Sequence, residues 1–327
     1  MAGATASTAG RSKLSKATRK TAATTIKGAS KTEKTTVSAG TTDDDDRGAG
    51  TDVKAKEKRT MDLSEYSKIW AAEFDDPDEL KTLFVTNADH MNPGKGSNLS
   101  VSEDQNHIYV ENSELVLRLT DNGDGTYVAP RSVSTTDKMS FRYGYLEMRA
   151  MVPYQEAAWP SLWLKADKNL HRSDSRSEID IFEVFGSQDT CVPNLHKHLW
   201  DQSGTIQISN KGNYQGRRGF TFPDKKGLST QYHTYGFEWT SKYMAFYVDG
   251  EWYYKVSIKE SDDYCPDKQP GMDCFRDYHY ICLNNWLMNM RGEYTPEQGG
   301  YFPAEYRIDY IRLYQKDDGA SVIKIYK

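Results

Sequence analysis

The stretch Ser177-Glu-Ile-Asp-Ile-Phe-Glu-Val-Phe185 sets three carboxylates among large apolar residues. Apolar and acidic residues alternate at its start, which is the pattern of a strand with one buried face. Side chains in a strand alternate between faces with period two. Glu178 and Asp180 therefore share one face, and Ile179 and Ile181 share the other. Glu183 follows Glu178 by five positions, so strict alternation would drive it into the layer of the isoleucines. An unpaired carboxylate there is costly to bury. One extra residue, a β-bulge at Ile181-Phe182, restores the parity and returns Glu183 to the acidic face. The sequence calls for that bulge.

Working outward, the chain has 327 residues, a net charge of −5 and a pI near 5.9. No basic footprint for nucleic acid appears in that balance. No apolar run approaches the roughly 18 residues of a membrane-spanning helix. Residues 1–60 are built of Ala, Thr, Ser, Lys and Gly with an Asp43–Asp46 run. They carry thirteen Lys or Arg against seven Asp or Glu, so the leader holds +6 and the remainder −11. With almost no large apolar side chains it cannot offset its ordering entropy, and it reads as a disordered low-complexity leader or linker. It lacks the apolar core of a signal peptide. Either an export signal is missing here, or the chain leaves the cell by another route, or it stays inside. Residues 61–327 form the second region, with all seven Trp and all 22 Tyr. Four cysteines fall at 191, 265, 274 and 282 without a CxxC pair, which argues against structural zinc. Cys265 and Cys274 flank a Pro/Gly-rich loop and are spaced either to close a small disulfide or to stay as thiols.

From Met61 onward the pattern is rich in strands. His107–Val110 and Glu114–Leu119 read as two strands across an Asn112-Ser113 turn. Phe141–Val152 reads as one long strand, and Lys242–Ile258 as a hairpin around Asp249-Gly250, a type I′ signature. Tyr306–Tyr314 closes the series. No helical period recurs between strands, so the expected architecture is a single large antiparallel sandwich rather than a parallel βαβ fold.

Three groups of residues point to chemistry. Two carboxylates flanking a scissile bond, one protonated and one ionised, are the machinery of glycoside hydrolysis. Glu178 and Glu183 are about 13–17 Å apart along an extended backbone, and a bulge brings their tips closer. Asp180 between them crowds negative charge, which raises at least one pKa. Trp159 and Trp163, in Ala157-Ala-Trp-Pro-Ser-Leu-Trp-Leu164, offer flat faces to sugar rings or else fill the core. His196 and His198 share one strand face, a metal site or, more simply, hydrogen-bonding partners at a cleft. The bland alternative for the acids is a solvated strand face.

Glu178-Ile-Asp-Ile-Phe-Glu183 resembles the ExDxxE signature of glycoside hydrolase family 16 in its β-bulge form, the branch of laminarinases, agarases, porphyranases and κ-carrageenases. Ser140–Arg149, Trp159-Pro-Ser-Leu-Trp-Leu164, Tyr232–Trp239 with Phe246–Gly250, and Tyr306–Tyr314 resemble further family segments in the same order, over residues 66–316. The resemblance implies an all-β, concanavalin-like jelly-roll sandwich of two antiparallel sheets with a concave substrate cleft. It also implies a retaining endo-glycoside hydrolase in which Glu178 is the nucleophile, Glu183 the acid/base and Asp180 the assisting carboxylate. Trp159, Trp163 and Arg131 would line the donor subsites, and His196 or His198 would approach the acid/base. No cofactor is expected for catalysis. A structural Ca²⁺, with Glu73 and Asp309 as side-chain ligands, is implied as a family feature.

A polysaccharide partner, a monomer and an extracellular or cell-surface location are also expected from the resemblance. β-1,3- or mixed-linked β-1,3-1,4-glucan is the expected substrate, with algal galactans of the agar or porphyran type as the alternative. A non-catalytic carbohydrate-binding sandwich is the competing class, and the intact set of Glu178, Asp180 and Glu183 argues against it. Departures from the family pattern fall in cleft walls: Ser177 in place of a common Gly, the charged stretch Lys165–Arg176, and Asn284-Asn-Trp-Leu287.

Overall fold

The computed structural model describes residues 60–88, 93, 98–153, 155, 158–170, 175–186, 189–199, 205–207, 219–223, 227–258, 274–287 and 301–327. Residues 1–59 of the leader and Cys265 lie outside this set, and the compact unit spans Ala55–Lys327. Its strands are β1 (Ser67–Ala72), β2 (Val85–Ala88), β3 (Leu99–Ser102), β4 (Ile108–Glu111), β5 (Glu114–Asp121), β6 (Tyr127–Pro130) and β7 (Ser132–Ser134). Next come β8 (Met139–Arg142), β9 (Gly144–Met151), β10 (Ala158–Ala166), β11 (Ser175–Val184), β12 (Thr190–Leu199), β13 (Thr205–Gln207) and β14 (Phe220–Thr221). The last are β15 (His233–Trp239), β16 (Tyr243–Val248), β17 (Glu251–Ser257), β18 (His279–Leu287), β19 (Ala304–Gln315) and β20 (Val322–Ile325). Two sheets result, the jelly-roll sandwich expected.

One sheet runs β13-β12-β11-β10-β18-β7-β2, with β14, β8 and β20 attached. It carries the three acids. The other runs β17-β16-β15-β9-β19-β5-β6-β3, with β1 on β19 and β4 on β5. Every described pair is antiparallel except β3–β6, where Leu99–Ser102 runs parallel to Tyr127–Pro130. The expectation of purely antiparallel sheets is corrected at that one edge.

The bulge in β11 lies where parity required it. Against β12, Asp180 pairs with Asn194 and Glu183 with Val192, so three steps on one strand match two on the other. Against β10 the slip falls at the same place, with Trp163 opposite Asp180 and Leu162 opposite Phe182. Ile179, Ile181, Phe182 and Val184 are all buried in the core between the sheets. Two consecutive residues thus face inward, and Glu183 returns to the side of Glu178 and Asp180. Phe182 stacks on Tyr235 of β15 with ring centroids 4.1 Å apart, joining the two sheets. Truncating such a residue costs about 3–5 kcal/mol.

Both turns legible in the sequence have left-handed geometry, at Asn112-Ser113 (φ 53° and 60°) and Asp249-Gly250 (φ 50° and 76°). The long strand expected over Phe141–Val152 is instead two strands in different sheets: β8 pairs with β18 and β20, and β9 with β15 and β19. Between them Tyr143 and Gly144 have φ of 56° and 135°. A Cβ on Gly144 would lie 2.5 Å from the Tyr314 carbonyl oxygen, so the crossover needs glycine.

Candidate active site

β11, flanked by β10 and β12, carries Glu178, Asp180 and Glu183 on its outward side. Asp180 and Glu183 are nonetheless buried, 4% and 6% exposed. Burial of this kind leaves each carboxyl dependent on a few chosen neighbours. For Glu183 the neighbour is Trp159, whose Nε1–H donates to Oε1 at 3.0 Å. Burial pushes Glu183 up to about 9, and the charges of Asp180 and Glu178 add to the rise. The Trp159 hydrogen bond and His196 oppose it. Charge crowding alone was the cause expected from sequence; desolvation is the larger one. Glu183 is therefore a neutral carboxylic acid at pH 7.

His196, on β12 opposite Glu178, is the histidine that meets the acids. Its Nε2 lies 3.1 Å from Asp180 Oδ2 and 3.9 Å from Glu178 Oε1. It therefore sits against the Asp180–Glu178 side of the group. The same Nε2 is 2.9 Å from Asn194 Nδ2, while Asn194 Oδ1 accepts from the Leu195 N–H and fixes the amide's orientation. A ring nitrogen either donates or accepts. Protonated, Nε2 serves Asp180; unprotonated, it accepts from Asn194. Asn194 is a site residue that sequence pattern did not single out. His198 lies two positions on, paired through its backbone with Arg176, and its side chain is outside the described set.

The two tryptophans of β10 are placed differently from each other. Trp163 is 7% exposed, packs with Tyr280 and Cys282, and donates Nε1–H to Asn284 Oδ1 at 2.8 Å. The Lys165 ammonium lies 5.7 Å from its ring centroid. Trp159 is partly buried and packs against Phe185 with centroids 5.5 Å apart. Arg131, half-buried on the β6–β7 connection, is three strands away from β11 in sheet order. Behind the site Ser177 points inward, with its Oγ 2.8 Å from the Cys274 carbonyl oxygen and 2.6 Å from His279 Nε2. Burial holds His279 down at about 4.

The two carboxylates expected to hold calcium already have cationic partners. The Glu73 carboxylate is taken by Arg312 through Nε and Nη2, at 3.0 and 2.7 Å, and by Lys68 at 2.9 Å. Asp309 is held by Arg149 at 2.5 Å. Carboxylates committed to guanidinium groups do not fit a calcium site, which needs six to eight oxygen ligands. The expected Ca²⁺ pair is corrected to two ion pairs. Glu178, Asp180 and His196 bring one ligand atom each within 4.8 Å of one another, with His196 Nε2 3.1 Å from Asp180 and 3.9 Å from Glu178.

A buried neutral acid beside further carboxylates, on the face of a β-sandwich, is the kind of arrangement glycoside hydrolases use. The family model for glycosyl hydrolases family 16 matches residues 95–273, more than half of the chain, and the chain belongs to that family. It is 28% identical over 188 residues to glucan endo-1,3-beta-glucosidase A1 of Niallia circulans, covering 56% of this chain and 26% of the relative. It is 27% identical over 204 residues to a beta-glucanase of Rhodothermus marinus, covering 58% of this chain and 63% of the relative. The chain thus spans about a quarter and just under two thirds of those proteins. Among solved structures, one from work on endo-acting O-glycanases of the human gut microbiota superposes with a TM-score of 0.61 at 23% identity. That match covers 81% of this chain and 95% of the other, and it supports the fold.

Proposed function

We propose that this chain is a retaining endo-glycoside hydrolase that cuts internal β-1,3 or mixed β-1,3-1,4 bonds of glucan. The observation that carries the reading is Glu183, a buried carboxylic acid neutral at pH 7 on the same strand face as Glu178 and Asp180. In the first step Glu183 gives its proton to the glycosidic oxygen while Glu178 attacks the anomeric carbon. The bond to the leaving sugar breaks and a glycosyl-enzyme ester forms. In the second step Glu183, now ionised, takes a proton from water, and the hydroxide oxygen displaces Glu178. Asp180, 3.1 Å from His196 Nε2, lies within 4.8 Å of the nucleophile and assists it. The glucan preference is supported by the names of the two relatives, a glucan endo-1,3-beta-glucosidase and a beta-glucanase.

The test is reducing-sugar release by the full chain from laminarin, lichenan, agarose, porphyran and carrageenan, each with and without a chelator. Release from laminarin or lichenan, unchanged by the chelator, is expected. Release from the galactans alone would overturn the substrate, and release from none would overturn the activity. A first product observed by proton NMR as the β-anomer confirms retention, and the α-anomer refutes it.

A further inference from the structure

Trp159 was expected to offer its face to sugar, yet its edge is committed to a carboxyl. The indole Nε1–H reaches Glu183 Oε1 at 3.0 Å, and the ring lies against Phe185 at 5.5 Å. Its other packing partners belong to a core cluster with Leu99, Tyr127 and Trp286. The backbone of the same residue is held as well. Asn284 Nδ2 donates to the Trp159 carbonyl at 3.1 Å, and Asn284 Oδ1 accepts from Trp163 Nε1 at 2.8 Å. These opposite demands on one amide fix which end is oxygen. Strand register explains the alignment, because Ser161 of β10 pairs with Asn284 on one side and Glu183 on the other. Trp159 and Trp163 sit two positions either side of Ser161, the diagonal reach of long side chains in a sheet.

We propose that Trp159, anchored through Asn284 by Trp163, is the positioning residue for the acid/base. It ties down Glu183 Oε1 and leaves Oε2 as the oxygen that delivers and recovers the proton. The inference rests on Glu183 being that acid/base. An indole N–H donates and never accepts, so it cannot compete for the acid's proton. When Oε2 loses its proton to the glycosidic oxygen, the charge left on the carboxylate strengthens the hydrogen bond at Oε1. The contact is therefore tighter after proton transfer than before, which favours the transition state over the bound substrate. In the second step the proton from water returns to Oε2. A sugar-stacking residue would behave differently, since its contribution depends on ring area and not on the N–H.

Trp159→Phe keeps an aromatic ring and removes the donor. The primary measurement is a ¹³C NMR titration of the Glu183 carboxyl in the full chain, with the resonance identified by its loss in Glu183→Gln. Removing a bond that favours the anion should move the midpoint upward by about one pH unit or more. On glucan, kcat should fall about tenfold with KM within twofold. On an aryl glycoside with an activated leaving group the loss should be smaller. Asn284→Ala removes no contact to the Trp159 indole or to Glu183 and should shift the midpoint in the same direction by less, which covers a Trp159 variant that misfolds. A midpoint unmoved in both variants, or a tenfold rise in KM with kcat unchanged, overturns the proposal. The titration needs no turnover, so inactivity of the wild type on every polysaccharide of the panel would sink the hydrolase reading and leave this measurement standing.

Discussion

The two outer faces of the sandwich treat their carboxylates in opposite ways. On the sheet opposite the acids, several carboxylates are matched by a cation or a hydroxyl. Glu73 is clasped by Arg312, Glu305 by Arg118 and Arg307, and Asp309 by Arg149. Glu238 accepts from the hydroxyls of Tyr66, Tyr243 and Tyr247. Hydrogen bonds from Arg312 hold Glu73 below the usual range. Those from Arg307 and Arg118 do the same for Glu305, against the effect of its burial. On the acid-bearing sheet, Glu183 has one indole N–H and two neighbouring acids, and it is pushed up to about 9. One residue type on one fold becomes either a permanent anion or a proton donor. What decides it is how deeply the carboxyl is buried and whether an arginine meets it there.

The largest effects should come from breaking the acid-bearing side. Glu178→Ala removes the group that forms the covalent bond. Turnover of glucan should fall by more than the roughly 10²–10⁴-fold that acid–base catalysis supplies. Oligosaccharide binding by calorimetry should persist, and full activity in this variant would remove Glu178 from the mechanism. Glu183→Gln should cost about 10²–10⁴-fold on polysaccharide, where the leaving sugar needs a proton. An aryl glycoside with a good leaving group should form the glycosyl-enzyme at close to the wild-type rate. Equal losses on both substrates would mean that Glu183 does not donate the proton.

This contrast between faces was half legible in the sequence. The bulge in β11 followed from counting alone, since Glu183 could reach Glu178 and Asp180 in no other way, and its position between Asp180 and Glu183 matches. The hairpins at Asn112-Ser113 and Asp249-Gly250 were legible for a similar reason, because turn geometry is local. The crossover at Tyr143-Gly144 was missed. Its signal is a lone glycine in an otherwise strand-like run, and the contact that requires it comes from Tyr314, far along the chain. The roles of Asn284, Asn194 and Trp159 were hidden in the same way, since each depends on which strand lies alongside. Glu73 and Asp309 were taken for metal ligands because sequence shows a carboxylate without showing that Arg312 or Arg149 lies across the sheet.

A sharper test of the same contrast uses stability rather than activity. The folded-state pKa of Glu183 is raised to about 9, above the ordinary carboxylate value. Between those limits the folded state binds the extra proton, so ionisation opposes folding and stability declines as pH rises. Glu183→Gln stays neutral at every pH and should escape that decline. Its melting temperature should therefore gain on the wild type as pH goes from 5 to 9, with little difference at pH 4. A gap that stays constant over this range would mean that Glu183 is ionised in the folded protein at neutral pH.

The smallest effect should come from the opposite face, and with the opposite sign. Glu73 has a lowered folded pKa, chiefly through its Arg312 hydrogen bonds, so its stabilisation is present above the unfolded pKa and is lost as pH falls through the folded one. Both partners are partly exposed, 29% for Arg312 and 28% for Glu73, and solvent screening holds such pairs to about 1 kcal/mol or less. Glu73→Gln should thus lower the melting temperature by about 2 °C at pH 7. The deficit should close toward pH 3, where the wild-type carboxylate takes up its proton and gives up the ion pair. The wild type's own response to salt should follow the same logic, because screening weakens exposed pairs most. If the deficit is as large at pH 3 as at pH 7, Glu73 stabilises through packing instead of charge, and the division between an anionic face and a proton-donating face would rest on Glu183 alone.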